Sequence, residues 1–249
     1  MKRYFIYLAY NGKDFCGWQI QPNGTTVQET LEHSLSVLLQ QSVAITGAGR
    51  TDAGVHARLM IAHADLPIEP EDAPNLTERL NRMLPRTIAI DKIVPVRPDA
   101  HARFDALSRT YQYYITGRKC PFQYELVYKM KELPDMEIMN QAARILLDYS
   151  DFTSFSKLHT DVKNNNCRIM QAEWSMQGDC MVFTIQADRF LRNMVRSIVG
   201  TLLDVGKGKL SLDGFRAVIE SKNRSNAGAS VAAQALFLTE VAYPPDIYR

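Results

Sequence analysis

Apolar positions follow two rhythms along the chain, and the switches between them predict its elements. Arg3 to Ala9 is a short apolar run rich in tyrosine and reads as a first strand. Tyr10 to Gly24 is a loop rich in Asn, Gly and Gln that carries Phe15, Trp18 and Gln19. Thr26-Val27-Gln28-Glu29 then has capping-box spacing, a hydroxyl three residues ahead of a Glu. A helix is expected from there to about Gln41, with Val27, Leu31, Leu35, Leu38 and Leu39 as its buried stripe. Val43 to Thr46 and Leu59 to Ala64 are β-rich runs on either side of a glycine-rich loop. Pro67 to Pro74 is a connector, Asn75 to Met83 a short helix ending before Pro85, and Ile88 to Val96 another strand.

The second half repeats this content loosely. Ser108 to Thr116 alternates as a strand, with Tyr111 and Tyr113 on one face and Tyr114 on the other. Gly117 to Pro134 has little periodicity and reads as a long surface insertion. Asp135 caps a helix whose stripe is Met139, Ala142, Ala143, Leu146 and Leu147. Ser150 to Asn166 is polar and is expected to be mobile. Ile169 to Met176 and Met181 to Ala187 form a hairpin turning at Gln177-Gly178-Asp179. Phe190 to Asp204 carries the widest apolar face in the chain and reads as a helix stopped by Gly206. A short helix from Leu212 to Glu220, a basic loop from Ser221 to Ser230 and a strand from Leu236 to Ala242 follow. Strands and helices mix in both halves, so the fold is read as α+β. Two similar lobes of mainly antiparallel sheet are expected, residues 1–105 and 106–249, with helices packed on one face and an active-site cleft between them.

Composition narrows the class. With 46% hydrophobic and 22% charged residues the chain matches an ordinary globular protein. A net charge of +2 means that any basic surface must come from local clustering. Four scattered cysteines, with no Cys-x-x-Cys, exclude a disulfide scaffold and a structural zinc site and suit a reducing cytoplasm. Lys2-Arg3 and the run to Tyr10 read as a strand rather than a signal peptide, because Asn11-Gly12-Lys13-Asp14 follows where a small-residue cleavage site belongs. No apolar run approaches the roughly 20 residues that span a bilayer.

Candidate chemistry centres on Gly47-Ala48-Gly49-Arg50-Thr51-Asp52-Ala53-Gly54-Val55-His56. Its glycines permit a tight loop, and Asp52 is its sole carboxylate. Read from the loop alone, Asp52 either bonds its own turn or is a rigidly placed catalytic acid. A phosphate cradle fits poorly, since an acid stands where the dinucleotide fingerprint has its third glycine and no Gly-Lys-Ser/Thr follows. Arg192 and Arg196, four apart on the expected late helix, share a face with Arg189, Asn193 and Ser197 nearby. Facing the cleft, one of them would pair with Asp52 and keep it ionised as a nucleophile. His33, His56, His63, His101 and His159 have no metal-binding spacing, and His56 reads as a brace for the loop. Basic clusters at Arg79, Arg82 and Arg86, at Arg103 and Arg109, at Lys207 and Lys209, and at Lys222 and Arg224 would together make a phosphate track. Trp18 either touches a nucleic-acid base or covers the edge of the core. Three readings follow: an RNA-modifying enzyme using Asp52, a non-catalytic RNA-binding module using the basic clusters and Trp18, and a metal- or phosphate-dependent small-molecule enzyme on the glycine-rich loop.

A resemblance separates them. Gly49-Arg50-Thr51-Asp52-Ala53-Gly54-Val55-His56, with Gly17-Trp18-Gln19 before it and His101-Ala102-Arg103-Phe104 after, resembles the TruA family of tRNA pseudouridine synthases. Arg109-Thr110-Tyr111, Asp151-Phe152-Thr153-Ser154-Phe155 and Phe190-Leu191-Arg192-Asn193-Met194-Val195-Arg196 extend the likeness over nearly the whole chain. The resemblance implies an Asp52 nucleophile, Tyr111 packed against the target uracil, Arg196 as salt-bridge partner of Asp52, and Arg50 holding the place of a flipped-out nucleotide. It also implies a cytoplasmic homodimer that uses no cofactor or metal and isomerises uridines at positions 38, 39 and 40 of the tRNA anticodon stem-loop. Residues 229–236 lack the prolines and the Gly-Leu usual in that family, and the loop from Lys157 to Cys167 is also distinctive.

Overall fold

Nine strands and five α-helices alternate through the residues that the computed structural model describes, 1–157 and 164–248. In chain order they are β1 (Lys2–Tyr10), α1 (Val27–Leu39), β2 (Thr46–Gly47), β3 (His56–Leu66), α2 (Ala73–Met83), β4 (Ile88–Pro95), β5 (Ser108–Thr116), β6 (Tyr128–Lys129), α3 (Met136–Ile145), β7 (Ile169–Gln177), β8 (Cys180–Ala187), α4 (Met194–Gly206), α5 (Leu212–Glu220) and β9 (Leu236–Ala242). The fold is α+β and its sheet is mostly antiparallel, as expected. Backbone packing divides the chain into two compact units, Met1–Ser108 with Leu238–Arg249, and Arg109–Phe237. Residues 238–249, which follow the second unit in the chain, therefore belong to the first.

In the first unit β1 is the central strand, antiparallel to β4 on one side and to β3 on the other, and β9 borders β3. Tyr4, Phe5, Ile6 and Leu8 of β1 are essentially without solvent contact, so both faces of this strand are covered. Helix α1 begins where Thr26 accepts a hydrogen bond from Glu29 N at 3.3 Å, and ends at Gln40 in the left-handed region (φ 55°). Val27, Leu31 and Leu35 form its buried stripe, while Leu38 and Leu39 are only half-buried. Helix α2 starts at Ala73, two residues ahead of expectation, because Pro74 fits a first helical turn that has no use for its missing N–H.

In the second unit β5 pairs antiparallel with β8, which forms the expected hairpin with β7, and β6 lies parallel to the end of β5. The insertion after Gly117 thus contributes a short strand. Asp135 accepts from Glu137 N and Ile138 N (2.9 and 3.2 Å) to cap α3; Leu146 is buried, but Leu147 points outward. The polar stretch from Ser150 is anchored at its start, where Phe152, Ser154 and Phe155 are fully buried and Ser154 Oγ donates to Val218 O at 2.6 Å. The rest of that stretch from 158 to 163, His159 included, lies outside the described residues.

Helix α4 corrects the sequence reading most clearly. It begins at Met194, not Phe190, because Asn193 adopts the left-handed conformation (φ 65°, ψ 4°) and breaks the helical path. Arg192 precedes the helix and is exposed, so it does not share a helical face with Arg196. Gly206 is the last helical residue; the left-handed turn falls at Gly208 (φ 68°).

Candidate active site

The loop carrying Asp52 is held by the loop that follows β1. Trp18 N donates to Thr51 O (3.2 Å), Gly54 N to Phe15 O (3.3 Å), and Gly12 N to His56 Nδ1 (3.0 Å). The Tyr10 hydroxyl bonds Thr51 Oγ1 at 2.9 Å, and Ala48 N donates to Ile61 O at 2.7 Å. Each bond ties one side of the crown to a strand or to the neighbouring loop, leaving Asp52 half-buried between fixed neighbours. Within the crown Val55 N donates to Asp52 O at 3.1 Å, and Gly54 takes φ 77° to make the turn.

Close backbone approach explains the glycines of the clamp. A Cβ on Gly17, itself at φ 88°, would stand 3.1 Å from the Asp52 carbonyl carbon and collide with Thr51 O. One on Gly47 would enter the Trp18 indole, 2.6 Å from Nε1. Trp18 is therefore a wall of the loop: at 2% exposure it covers the core and has no face for a nucleobase. His56 is the brace expected of it, buried and accepting through Nδ1, which an unprotonated nitrogen alone can do. Neither Gly12 nor the bonds from Tyr10, Phe15 and Trp18 were apparent in the sequence; Gly12, beside a turn-forming Asn, was the one available signal.

Arg50 shares this loop and its side chain is exposed. Tyr111 and Arg196 belong to the second unit. Tyr111, 8% exposed on β5, meets Phe190 edge-on with ring centres 5.2 Å apart. Arg196, half-buried in the first turn of α4, donates Nε to Val231 O at 2.7 Å, while Val231 N returns a bond to Arg196 O at 3.2 Å. That carbonyl is presented by a clasp the sequence did not reveal. Ser230 Oγ accepts from Asn193 Nδ2 (2.5 Å) and from an Arg224 guanidinium nitrogen (2.9 Å). Gly228 N donates to Thr201 Oγ1 at 2.9 Å. Gly200 gives the strap room, since a Cβ there would lie 3.0 Å from the Ala229 carbonyl carbon. Val231, within the distinctive stretch 229–236, is thus the residue that grips Arg196.

Several expected phosphate contacts are engaged within the protein. Arg109 is buried and donates to Asp188 O at 2.7 Å, Lys222 pairs with Asp151 at 3.0 Å, and Arg82 pairs with Glu78. Arg109 is therefore withdrawn from the surface, while Arg82 and Lys222 pair there with their side chains still exposed.

The profile of the tRNA pseudouridine synthase family matches residues 6–105 and 142–244, which include Arg50, Asp52 and Arg196. The chain belongs to this family. Membership makes it an isomerase acting on uridine in tRNA. It is 63% identical over 248 residues to tRNA pseudouridine synthase A of Parabacteroides distasonis, covering 100% of this chain and 98% of that protein. The protein of the same name from Porphyromonas gingivalis is 59% identical over 251 residues, with 100% of both chains covered. A more distant relative from Chlorobium chlorochromatii is 38% identical over 245 residues, covering 98% of this chain and 100% of that one. Among the described residues no helix is long and apolar enough to cross a membrane.

Proposed function

We propose that this family member converts uridine to pseudouridine in the anticodon stem-loop, at tRNA positions 38, 39 and 40, with Asp52 as nucleophile. The reaction breaks the bond from the ribose anomeric carbon to uracil N1 and makes one to C5. C5 loses a proton and N1 ends with one, so the product is an isomer. The target base must first leave its stack, which costs a few kcal/mol and calls for a fitted pocket with an aromatic wall. Tyr111 is that wall in this reading, and its phenol takes a proton at the detached base. Arg196 supplies the charge that keeps Asp52 ionised, and Arg50 fills the place of the flipped nucleotide in the stem. Attack on the anomeric carbon, attack on uracil C6 and assistance to glycal formation are all open to a carboxylate in this role. No metal or cofactor enters the scheme. The active form is a cytoplasmic homodimer.

One observation supports the reading above the rest: the sole acid of a glycine-rich loop sits half-buried at a crown tied down from both sides. A turn that merely satisfied itself would not need neighbouring strands to hold it, whereas a nucleophile does. The test is tritium release from 5-tritiated uridine in tRNA. Asp52→Ala and Asp52→Asn should abolish turnover while still binding tRNA; wild-type turnover in either removes the proposal. Tyr111→Phe should keep the wall and lose the proton transfer, and an unchanged rate rules that transfer out.

A further inference from the structure

One motif has no part in that chemistry. In His101-Ala102-Arg103-Phe104, Phe104 is 75% exposed, an unusual fate for a large apolar ring. It is not loose. Its ring stacks on His101 with centres 4.2 Å apart and planes 29° apart, and His101 in turn lies 4.6 Å from His63. Backbone bonds lock this column. Ala102 N donates to His63 Nδ1 at 3.0 Å, while Arg103 N and Phe104 N donate to His101 Nδ1 at 3.1 and 3.3 Å. His101 N donates to Asp105 Oδ2 at 2.8 Å, and the Tyr243 hydroxyl donates to Ala102 O at 2.5 Å. The Arg103 guanidinium lies 5.7 Å from the Phe104 ring centre.

We propose that Phe104, backed by His101 and His63 and flanked by Arg103, is a preformed stacking platform for an unpaired base of the tRNA substrate. A ring already held by its neighbours loses little freedom when a base settles on it. A flat face beside a cation matches a nucleobase and its phosphate, which the known substrate class supplies. His63 pairs with Thr46 at the entry to the Asp52 loop, so the column stands on the same strand that carries that loop. Phe104 grips an unpaired base of the RNA, while the reacting uridine is left to the Asp52 loop. The inference rests on tRNA as substrate and on no role assigned to Asp52.

Equilibrium binding of a tRNA transcript and steady-state turnover test it with Phe104→Ala, Phe104→Leu and Phe104→Trp. The Ala and Leu variants should bind about tenfold more weakly and raise KM in step, with kcat far less affected, since base–aromatic stacking is sequence-tolerant and substantial. Phe104→Trp should restore binding to near wild type, which a merely apolar contact would not require. The deficit should persist at raised salt, unlike that of an ionic contact. Wild-type binding by Phe104→Ala overturns the platform. So does unchanged RNA binding with a lowered association state in sedimentation, which would give the ring to a second copy of the chain. If the wild-type protein bound tRNA but formed no pseudouridine, the catalytic reading would fail while the binding comparison still decided Phe104.

Discussion

Gly12 and Val55 meet backbone to backbone: a Cβ on Gly12 would lie 2.7 Å from the Val55 carbonyl carbon and would collide with its oxygen. Neither partner can yield as a flexible side chain would. Gly12→Ala should therefore push the Asp52 loop off the loop after β1, costing about 2 kcal/mol of stability. A displacement near 1 Å at the carboxylate lowers the rate by about a hundredfold. Chemical denaturation and single-turnover kinetics measure the two losses. Gly49→Ala is the control, since a Cβ there meets nothing within 4 Å and should leave stability unchanged.

Burial, reinforced by neighbouring His101, lowers the pKa of His63 to about 4. In the unfolded chain a histidine titrates near 6.5. Between these values the unfolded state binds the proton and the native state does not, so native stability falls as pH drops from 6.5 towards 4, then levels off. The loss amounts to about 3 kcal/mol at most. His63→Gln, which keeps an acceptor for Ala102 N, should flatten the pH dependence of stability in that window.

Ser230 joins Asn193 and Arg224 one residue before the carbonyl that holds Arg196. Ser230→Ala leaves both donors without this acceptor and should cost about 1 kcal/mol. If Arg196 serves Asp52 as proposed, kcat should fall more than tRNA affinity does. Equal losses in both would mean that the clasp only shapes the RNA-binding surface.

Tyr113 is fully buried, its hydroxyl has no hydrogen-bond partner among the described residues, and burial pushes its pKa far up. Tyr113→Phe should stabilise the protein by about 1 kcal/mol, visible as a raised midpoint in urea, because an unsatisfied buried hydroxyl carries a desolvation penalty.

Legibility in the sequence followed the range of the forces involved. Caps and stripes are local, so Thr26, Asp135 and the hairpin from Ile169 to Ala187 were readable directly. Phe190 and Leu191 extend the apolar rhythm of α4 without being helical, since rhythm cannot register the left-handed turn at Asn193. In the candidate site Asp52 and the brace at His56 were visible from spacing. The clamp from Gly12 to Trp18 and the clasp at Ser230 were not, since they include bonds between residues far apart in the chain, 44 for Gly12 with His56 and 37 for Asn193 with Ser230. One basic residue escaped for a related reason: Arg109 is buried against the Asp188 carbonyl, a partner that no count of charges reveals.

Strand β9 carries a consequence for biosynthesis. Its residues 238–242 border β3, yet the ribosome makes them only after the whole of the second unit. During translation the edge of β3, apart from Ala62 and His63 where β2 pairs, waits uncovered for well over a hundred codons. The nascent first unit is then open to mispairing with other strands, and a chaperone that shields it until release would raise the yield of native enzyme.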